Sequence, residues 1–152
     1  MCPQLTTLSM EHPQRRYNPF GTRLSVEDSL HLLCGTAVRE LHLLGYALSN
    51  EDIVCLHNTL LHTLSIHGAQ EKLTDNGILD LVPTLSFLHT LQLCFCNGLT
   101  YKLVEPVLAQ CLTMRSFTLR TGYGHTKSSS NLLLSDVLPK LYPHVKHFCI
   151  SC

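Results

Sequence analysis

Six short segments of the chain share one spacing of hydrophobic residues, apolar-x-x-apolar-x-apolar. They are residues 5–10, 38–43, 61–66, 88–93, 114–119 and 145–150. In each segment the fourth and sixth positions face one way and the third and fifth face the other, which is the alternation of a half-buried β-strand. These strand blocks recur at intervals of roughly 23 to 33 residues, and a motif repeated at such intervals indicates a solenoid.

The segments between the strand blocks carry helical signals. Parallel strands need a crossover of about a dozen residues or more, so these connections are too long for hairpins and suit helices. The predicted helical segments begin at or near Ser25, Asn50, Thr74, Thr100 and Ser135. We expect the segment from Asn50 to end near Leu60. Pro83, Pro106 and Pro139 lie within three of the segments and predict short helices, in part 3₁₀, because proline removes a backbone donor and clashes with the preceding turn.

The pattern spans residues 1–152, which we interpret as a single domain of five to six repeats. Two connections, 11–24 and 121–131, show no periodicity and are predicted to be loop insertions. The chain begins inside a repeat at Cys2 and ends two residues after the last block. Because outer strands without capping units expose unpaired backbone groups, we expect the chain to be part of a longer array, in preference to an edge paired with another molecule.

Composition narrows the functional classes. Charged residues make up 14% of the chain, and 11 Lys and Arg balance 11 Asp and Glu, so the charge required for bulk binding of nucleic acid is lacking. The sequence has neither a signal-peptide pattern nor an apolar run of about 18 residues. We therefore predict no membrane association, a cytoplasmic or nuclear location, and reduced thiols for the eight cysteines.

Several stretches resemble the cysteine-containing subtype of the leucine-rich repeat. Residues 61–66 followed by 73–78 resemble its L-x-x-L-x-L and L-T-D-x-G-L elements, and residues 2–5 resemble its C-P-x-L junction. Cys96 stands at the ninth position of its block, where the family commonly carries Cys or Asn. The resemblance implies an α/β, right-handed leucine-rich-repeat solenoid of horseshoe shape, with a parallel sheet on its concave face and short helices on its convex face. At the ninth position, four other repeats depart from the family, with Pro13, Tyr46, Ala69 and Gly122.

This subtype is best known from F-box proteins, the substrate receptors of cullin-based ubiquitin ligases. In them the repeats bind the substrate and a separate N-terminal F-box binds the adaptor. Four residues precede the first block here, so an F-box, like any further repeats, would have to lie in a longer parent chain. The resemblance implies a protein-binding module for substrate recognition in such a ligase, without a cofactor. A stand-alone repeat scaffold unrelated to ubiquitin is the alternative.

The candidate partner-binding surface consists of positions three, five and seven of the blocks, which should line the concave face in three columns. The first column is Thr7, Glu40, Thr63, Thr90, Ser116 and His147. The second is Ser9, His42, Ser65, Gln92, Thr118 and Cys149, and the third is Glu11, Leu44, His67, Cys94, Arg120 and Ser151. Most are small and polar, and no aromatic anchor is among them. A merely solvated sheet face is the alternative interpretation.

Position two forms a fourth column, predicted to follow the rim of the sheet. Its members are Thr6, Arg39, His62, His89, Arg115 and Lys146. Five of the six are basic or can become protonated, so an acidic or phosphorylated partner segment would be attracted to them. The competing explanation is that a long polar residue suits this position of any repeat.

The cysteines and histidines raise two further alternatives, a metal-binding protein and a cysteine-dependent enzyme. The zinc candidates are Cys94, Cys96, His144, His147, Cys149 and Cys152. Strand alternation directs Cys94 and Cys96 to opposite faces, whereas zinc needs four converging ligands. His67 and Cys94 share a column in neighbouring strands and form the nearest approach to a nucleophile–base pair. We expect neither metal nor catalysis and assign Cys34, Cys55, Cys96 and Cys111 to the core.

Overall fold

The structure is a computed structural model that describes residues 5–11, 30, 36–69, 71–121 and 137–151. The helix starts predicted at Ser25 and Ser135, and most of both predicted loop insertions, lie outside these residues. So do Cys34 and Cys152.

All six strand blocks form strands. They are β1 (Thr7–Glu11), β2 (Glu40–Leu44), β3 (Thr63–His67), β4 (Thr90–Cys94), β5 (Ser116–Arg120) and β6 (His147–Ser151). They lie in chain order in one six-stranded sheet, and every neighbouring pair is parallel. Each strand runs from position three to position seven of its block. The α/β class with a parallel sheet is therefore confirmed, and Glu11 belongs to β1 instead of the loop predicted from residue 11.

The crossovers are short and mixed in type, as predicted, but the 3₁₀ turns do not all coincide with prolines. Pro83 lies in a 3₁₀ turn, Pro106 lies within an α-helix, and the 3₁₀ turn at 54–56 has no proline. The helices are α1 (Asn50–Ile53), α2 (Asp75–Leu81) and α3 (Val104–Gln110), with 3₁₀ turns at Val54–Leu56, Val82–Thr84 and Tyr101–Leu103. Residues 137–141 are also helical. The segment from Asn50 ends at Leu56, short of the predicted Leu60, because His57 leaves the helical conformation with a ψ of 139°, and Asn58 follows with a left-handed φ of 59°.

One hydrophobic core lies between the sheet and these crossovers. Positions four and six of β2–β5 are almost completely buried and pack with helical side chains such as Ile53, Ile78 and Val107. Positions four and six of β1 and β6 are only partly buried, because each outer strand has a single neighbour. Cys96 and Cys111 are buried in this core, and Cys55 packs against it half-buried. Among the described residues, no helix is long and apolar enough to cross a bilayer.

Two helix starts differ in how they are capped. Ser49 caps α1 with a capping box, in which its hydroxyl accepts from the Asp52 N–H at 3.3 Å and the Asp52 carboxylate accepts from the Ser49 N–H at 2.6 Å. Thr74 occupies the N-cap position of α2, as predicted, but its hydroxyl does not cap that helix. It instead accepts a hydrogen bond from the Asn50 amide of the previous crossover at 2.9 Å.

Candidate binding surface

The sheet face opposite the core carries the three predicted columns, and we call it the polar face. The strand register pairs the Cα atoms of each column from β1 to β6 without a slip. Position three thus runs from Thr7 to His147, position five from Ser9 to Cys149, and position seven from Glu11 to Ser151. With parallel strands about 4.8 Å apart, the six strands make each column roughly 24 Å long.

The centre of the polar face is more sheltered than a solvated sheet. Ser65 is 1% exposed and Cys94 is 5% exposed. The Ser65 hydroxyl donates to Gln92 Oε1 at 3.3 Å and contacts His67 Nε2 at 2.9 Å. These bonds link position five of β3 to position five of β4 and to position seven of β3. The polar side chains at the centre of the face are therefore held in fixed positions.

The other predicted binding residues surround this sheltered centre. Half-buried side chains on the same face are His42, Thr63, Thr90, Ser116 and Thr118. Glu40 and Arg120 are exposed, and the Glu40 carboxylate accepts from the Thr7 hydroxyl at 3.0 Å. The face therefore presents a graded surface, with hydroxyl and amide groups inside and ionised groups outside.

Positively charged neighbours act on His67, the position-seven residue of β3. Burial lowers the pKa of His67, and the positive charges of His42 and Arg120 lower it further. Arg120 Nη2 approaches Cys149 Sγ at 3.9 Å. Since Nε2 of His67 is engaged with the Ser65 hydroxyl at 2.9 Å, the other ring nitrogen, Nδ1, remains for a hydrogen bond to a partner.

The rim column is continuous in the structure. From the second block onward, the N–H of each position-two residue donates to the carbonyl of the position-two residue in the preceding block. The first of these bonds joins the Arg39 N–H to the Thr6 carbonyl at 2.7 Å, and the last joins the Lys146 N–H to the Arg115 carbonyl at 2.8 Å. The intervening bonds, through His62, His89 and Arg115, are 2.7 to 2.8 Å long. The backbone therefore sets the five basic positions at the spacing of the strands.

Side chains on the rim contact one another. The His62 ring lies edge-on to the His89 ring with centroids 5.2 Å apart, and tilted against the Phe87 ring at 6.2 Å. Arg39 Nη1 donates to the Leu60 carbonyl at 3.3 Å, and Arg115 Nη1 is 3.5 Å from the His144 carbonyl. Each of these carbonyls belongs to the residue just before the next block, so the two arginines are anchored in the same way.

Charge on the rim acts on the histidine at its centre. Partial burial lowers the pKa of His62, the positive charges of Arg39 and His89 lower it further, and Glu40 opposes them more weakly. The positive neighbours disfavour the protonated ring of His62. An anion bound nearby would offset their charge and stabilise the protonated ring.

Burial favours the protonated form of the Cys94 and Cys96 thiols. His67 and Cys94 are neighbours in the β3–β4 register, as predicted, but burial raises the pKa of Cys94. Burial raises the pKa of Cys96 to about 11. Within the described ranges, no group of three or more His, Cys, Asp or Glu side chains is placed to hold a metal ion, and the zinc candidate Cys152 lies outside them.

Three exposed hydrophobic residues beside the strands, one leucine and two phenylalanines, were absent from the predicted surface. Phe87, which is 48% exposed, precedes the fourth block, and Leu60, which is 41% exposed, precedes the third. Phe95 is 50% exposed and follows β4 at position eight, where the two preceding repeats have Gly45 and Gly68. A phenylalanine at position eight, where the two preceding repeats have glycine, was the sequence signal that could have identified Phe95.

Both surfaces lie on one sheet and are built from equivalent positions of successive repeats. Their groups can form hydrogen bonds and ion pairs with a partner, whereas the raised pKa of Cys94 and Cys96 disfavours a reactive thiolate. Comparison of the chain with protein-family models, curated proteins and solved structures finds no match.

Proposed function

We propose that the protein is a protein-binding module whose polar face receives the partner. The observation that carries this proposal is the unbroken register of six parallel strands, which places equivalent polar positions side by side over the whole sheet. A surface of this kind offers repeated hydrogen-bonding groups at fixed spacing, as solenoids use to bind macromolecules.

The balance of charge supports a protein as the partner. The chain has no excess of Lys and Arg over Asp and Glu, whereas bulk binding of nucleic acid depends on neutralising many phosphates. Hydrogen bonds fix Ser65, His67 and Gln92 before a partner arrives. Binding there costs less conformational entropy than ordering free side chains would.

In its more specific form, the proposal is that the repeats recognise substrates of a cullin-based ubiquitin ligase. Its support is the resemblance of residues 61–66 and 73–78 to the cysteine-containing leucine-rich repeat. A stand-alone scaffold is the alternative. Inhibiting cullin ligases in cells separates the two, because the abundance of a bound substrate then rises, whereas the level of a scaffold partner does not change.

Site-specific photocrosslinking tests the binding surface. A benzophenone amino acid is placed at Glu40 or Ser116 on the polar face and, as a matched control, at the exposed Glu105 of α3. We expect a protein adduct from the polar-face positions and none from Glu105. The adduct is identified by mass spectrometry and its binding is then measured with purified components.

Substitution provides the quantitative test with that purified partner. We expect Thr118→Arg to weaken affinity about tenfold or more, since one blocked central contact is worth more than about 1.4 kcal/mol. Glu105→Arg should leave affinity unchanged, and Glu40→Arg covers the case in which Thr118→Arg fails to fold. Equal crosslinking from both sides of the sheet, or affinity insensitive to the polar-face variants, would contradict the proposal.

A further inference from the structure

The rim carries a second surface that combines positive charge with exposed hydrophobic side chains. We call it the rim patch and define it as Arg39, Leu60, His62, Phe87, His89 and Arg115. We propose that the rim patch binds an acidic, extended segment of a partner protein that also carries one apolar side chain. The inference rests on the proposed function, because it assigns the chemistry of a partner segment beside the polar face.

Geometry sets the length of the segment. Successive rim positions are one strand spacing apart, so Arg39 and Arg115 are separated by about 14 Å and Arg39 and Lys146 by about 19 Å. An extended chain advances about 3.3 Å per residue, which makes the bound segment about four to six residues long. It would cross the strands at their N-terminal ends.

The apolar part of the patch has a defined place. Leu60 and Phe87 immediately precede adjacent blocks and are 41% and 48% exposed. The Phe87 ring packs against the His62 ring, with their centroids 6.2 Å apart. The rim patch therefore offers a hydrophobic contact beside its central histidines, which a purely electrostatic stripe would lack.

The arginines can accept an anion without leaving their positions. Each has a hydrogen bond from one guanidinium nitrogen to a backbone carbonyl, whereas a guanidinium carries five N–H donors. The remaining donors suit a carboxylate or a phosphate ester, which share this recognition chemistry. Anchoring to the backbone also reduces the entropy that binding would cost.

The groups facing His62 favour an anion in the same place. Arg39 and His89 are positive or can become so, Phe87 is apolar, and Glu40 is the opposing carboxylate, held by the Thr7 hydroxyl at 3.0 Å. An anionic side chain bound beside His62 would raise the pKa of its ring. Affinity for an acidic segment should therefore increase as pH falls from about 7.5 to 5.5, where imidazoles take up protons.

The test uses the whole chain and three six-residue peptides that share one leucine and differ in their other five residues. One has five glutamates around a central leucine, one has glutamine in place of glutamate, and one has phosphoserine in place of glutamate. NMR titration of the isotope-labelled protein measures affinity and locates the site. We expect the glutamate or phosphoserine peptide to shift resonances of His62, Phe87 and His89, and the glutamine peptide to shift none of them.

The two anionic peptides distinguish the source of the charge, and tighter binding by either supports the proposal. For the glutamate peptide, we expect affinity to rise about threefold to tenfold between pH 7.5 and 5.5. It should fall in high salt, because exposed charges are screened.

Arg39→Gln and Arg115→Gln should each weaken binding about twofold to fivefold. Lys102→Gln, an exposed charge in the turn before α3, is the matched control and should have no effect.

Phe87→Ser tests the hydrophobic contact at an exposed position. It should weaken binding of the peptide that contains leucine, but not binding of a peptide in which glycine replaces the leucine. Equal binding of the glutamine peptide, shifts centred on the polar face or the helices, or preference for a single-stranded oligouridine would overturn the proposal. Any of these three outcomes would leave the photocrosslinking test of the polar face unaffected. Conversely, a partner crosslinked at Ser116 whose affinity ignores salt and both arginine variants would overturn the rim proposal alone.

Discussion

The carboxylate of Asp75 holds the start of the next crossover through Thr100. Its Oδ1 accepts from the Thr100 N–H at 2.7 Å and its Oδ2 accepts from the Thr100 hydroxyl at 2.5 Å. One repeat earlier, Asn50 does the same for Thr74, accepting from its N–H at 2.9 Å and donating to its hydroxyl at 2.9 Å. The first helical residue of one repeat thus fixes the N-cap residue of the next.

Removing the Asp75 carboxylate should uncouple two repeats. We expect Asp75→Ala to lower the free energy of unfolding by about 1 to 3 kcal/mol, because a half-buried N–H and hydroxyl lose a charged acceptor. Asp75→Asn keeps an acceptor and should cost less. Urea denaturation followed by circular dichroism measures both, with Asp80→Ala on the exposed side of α2 as the control. A cost no larger than that of Asp80→Ala would contradict the coupling.

Gly77 makes the Asn50 contact possible. A Cβ added at Gly77 would collide with the side-chain amide of Asn50. Glycine to alanine inside a helix normally stabilises by up to about 1 kcal/mol, but here we expect Gly77→Ala to destabilise by about 1 to 3 kcal/mol because the amide must move.

A double-mutant cycle identifies the cause. In an Asn50→Ala background the colliding amide is absent and only the Cβ of residue 50 stays close, at 3.1 Å. Gly77→Ala should there cost less than in the wild type, with a coupling energy of about 1 kcal/mol or more. Asn76→Ala, an exposed neighbour in the same helix, should change stability by a few tenths of a kcal/mol at most. Additive effects of the two substitutions would show that Asn50 is not the group displaced.

The alternation of apolar residues was enough to predict the strands, because strand positions depend on a local period of two. It also predicted the columns, since six blocks with the same spacing can pair without a slip. The cap residues were predicted only in part. Thr74 and Thr100 occupy N-cap positions, but the capping box at Ser49 was not predicted and the Thr74 hydroxyl does not cap its helix. The Asn50–Thr74 and Asp75–Thr100 bonds join residues 24 and 25 positions apart, and no local pattern predicts which side chain of one crossover reaches the next.

The candidate site was only partly accessible from the sequence. Membership of the columns followed from alternation, but the burial of Ser65 and Cys94 depends on how neighbouring side chains cover them. Phe87 and Phe95 lie just outside the alternating blocks, where the period-two rule makes no statement. The contact of Phe87 with His62 joins two different repeats and became visible only in the folded arrangement.

Phe95 occupies a backbone conformation that suits glycine. Its φ is 56°, whereas Gly45 and Gly68 have φ of 76° at the equivalent positions. A left-handed conformation costs a residue with a side chain about 1 kcal/mol or more. We therefore expect Phe95→Gly to raise the free energy of unfolding by up to about 1 kcal/mol, measured by urea denaturation.

The reciprocal substitution is the control for Phe95. A Cβ at Gly68 has room, since its nearest neighbour is the Gly45 Cα at 3.6 Å. Gly68→Ala should therefore lower the free energy of unfolding by about 1 kcal/mol, because of its left-handed φ alone. If Phe95→Gly instead destabilised the protein, the phenylalanine ring would have to contribute contacts that outweigh the backbone cost.

Cys96 should make the protein less stable in alkaline solution. Its thiol is buried at the ninth position and donates to the Ile66 carbonyl at 3.6 Å and the Cys94 carbonyl at 3.5 Å. Burial raises its pKa from 9.0 to about 11. The folded state therefore keeps a proton that the unfolded chain releases, so the stabilisation is complete below pH 9 and is lost as pH rises toward 11.

We expect this loss to reach about 3 kcal/mol, since the pKa is raised from 9.0 to about 11 and each pKa unit corresponds to about 1.4 kcal/mol. Cys96→Ala removes the titrating group and should unfold more easily at pH 7, but its stability should vary less between pH 8.5 and 10.5. Urea midpoints across this range measure the slope. Cys149→Ala, on the half-buried edge strand β6, should retain the wild-type slope. An unchanged slope in Cys96→Ala would mean that other groups control alkaline unfolding.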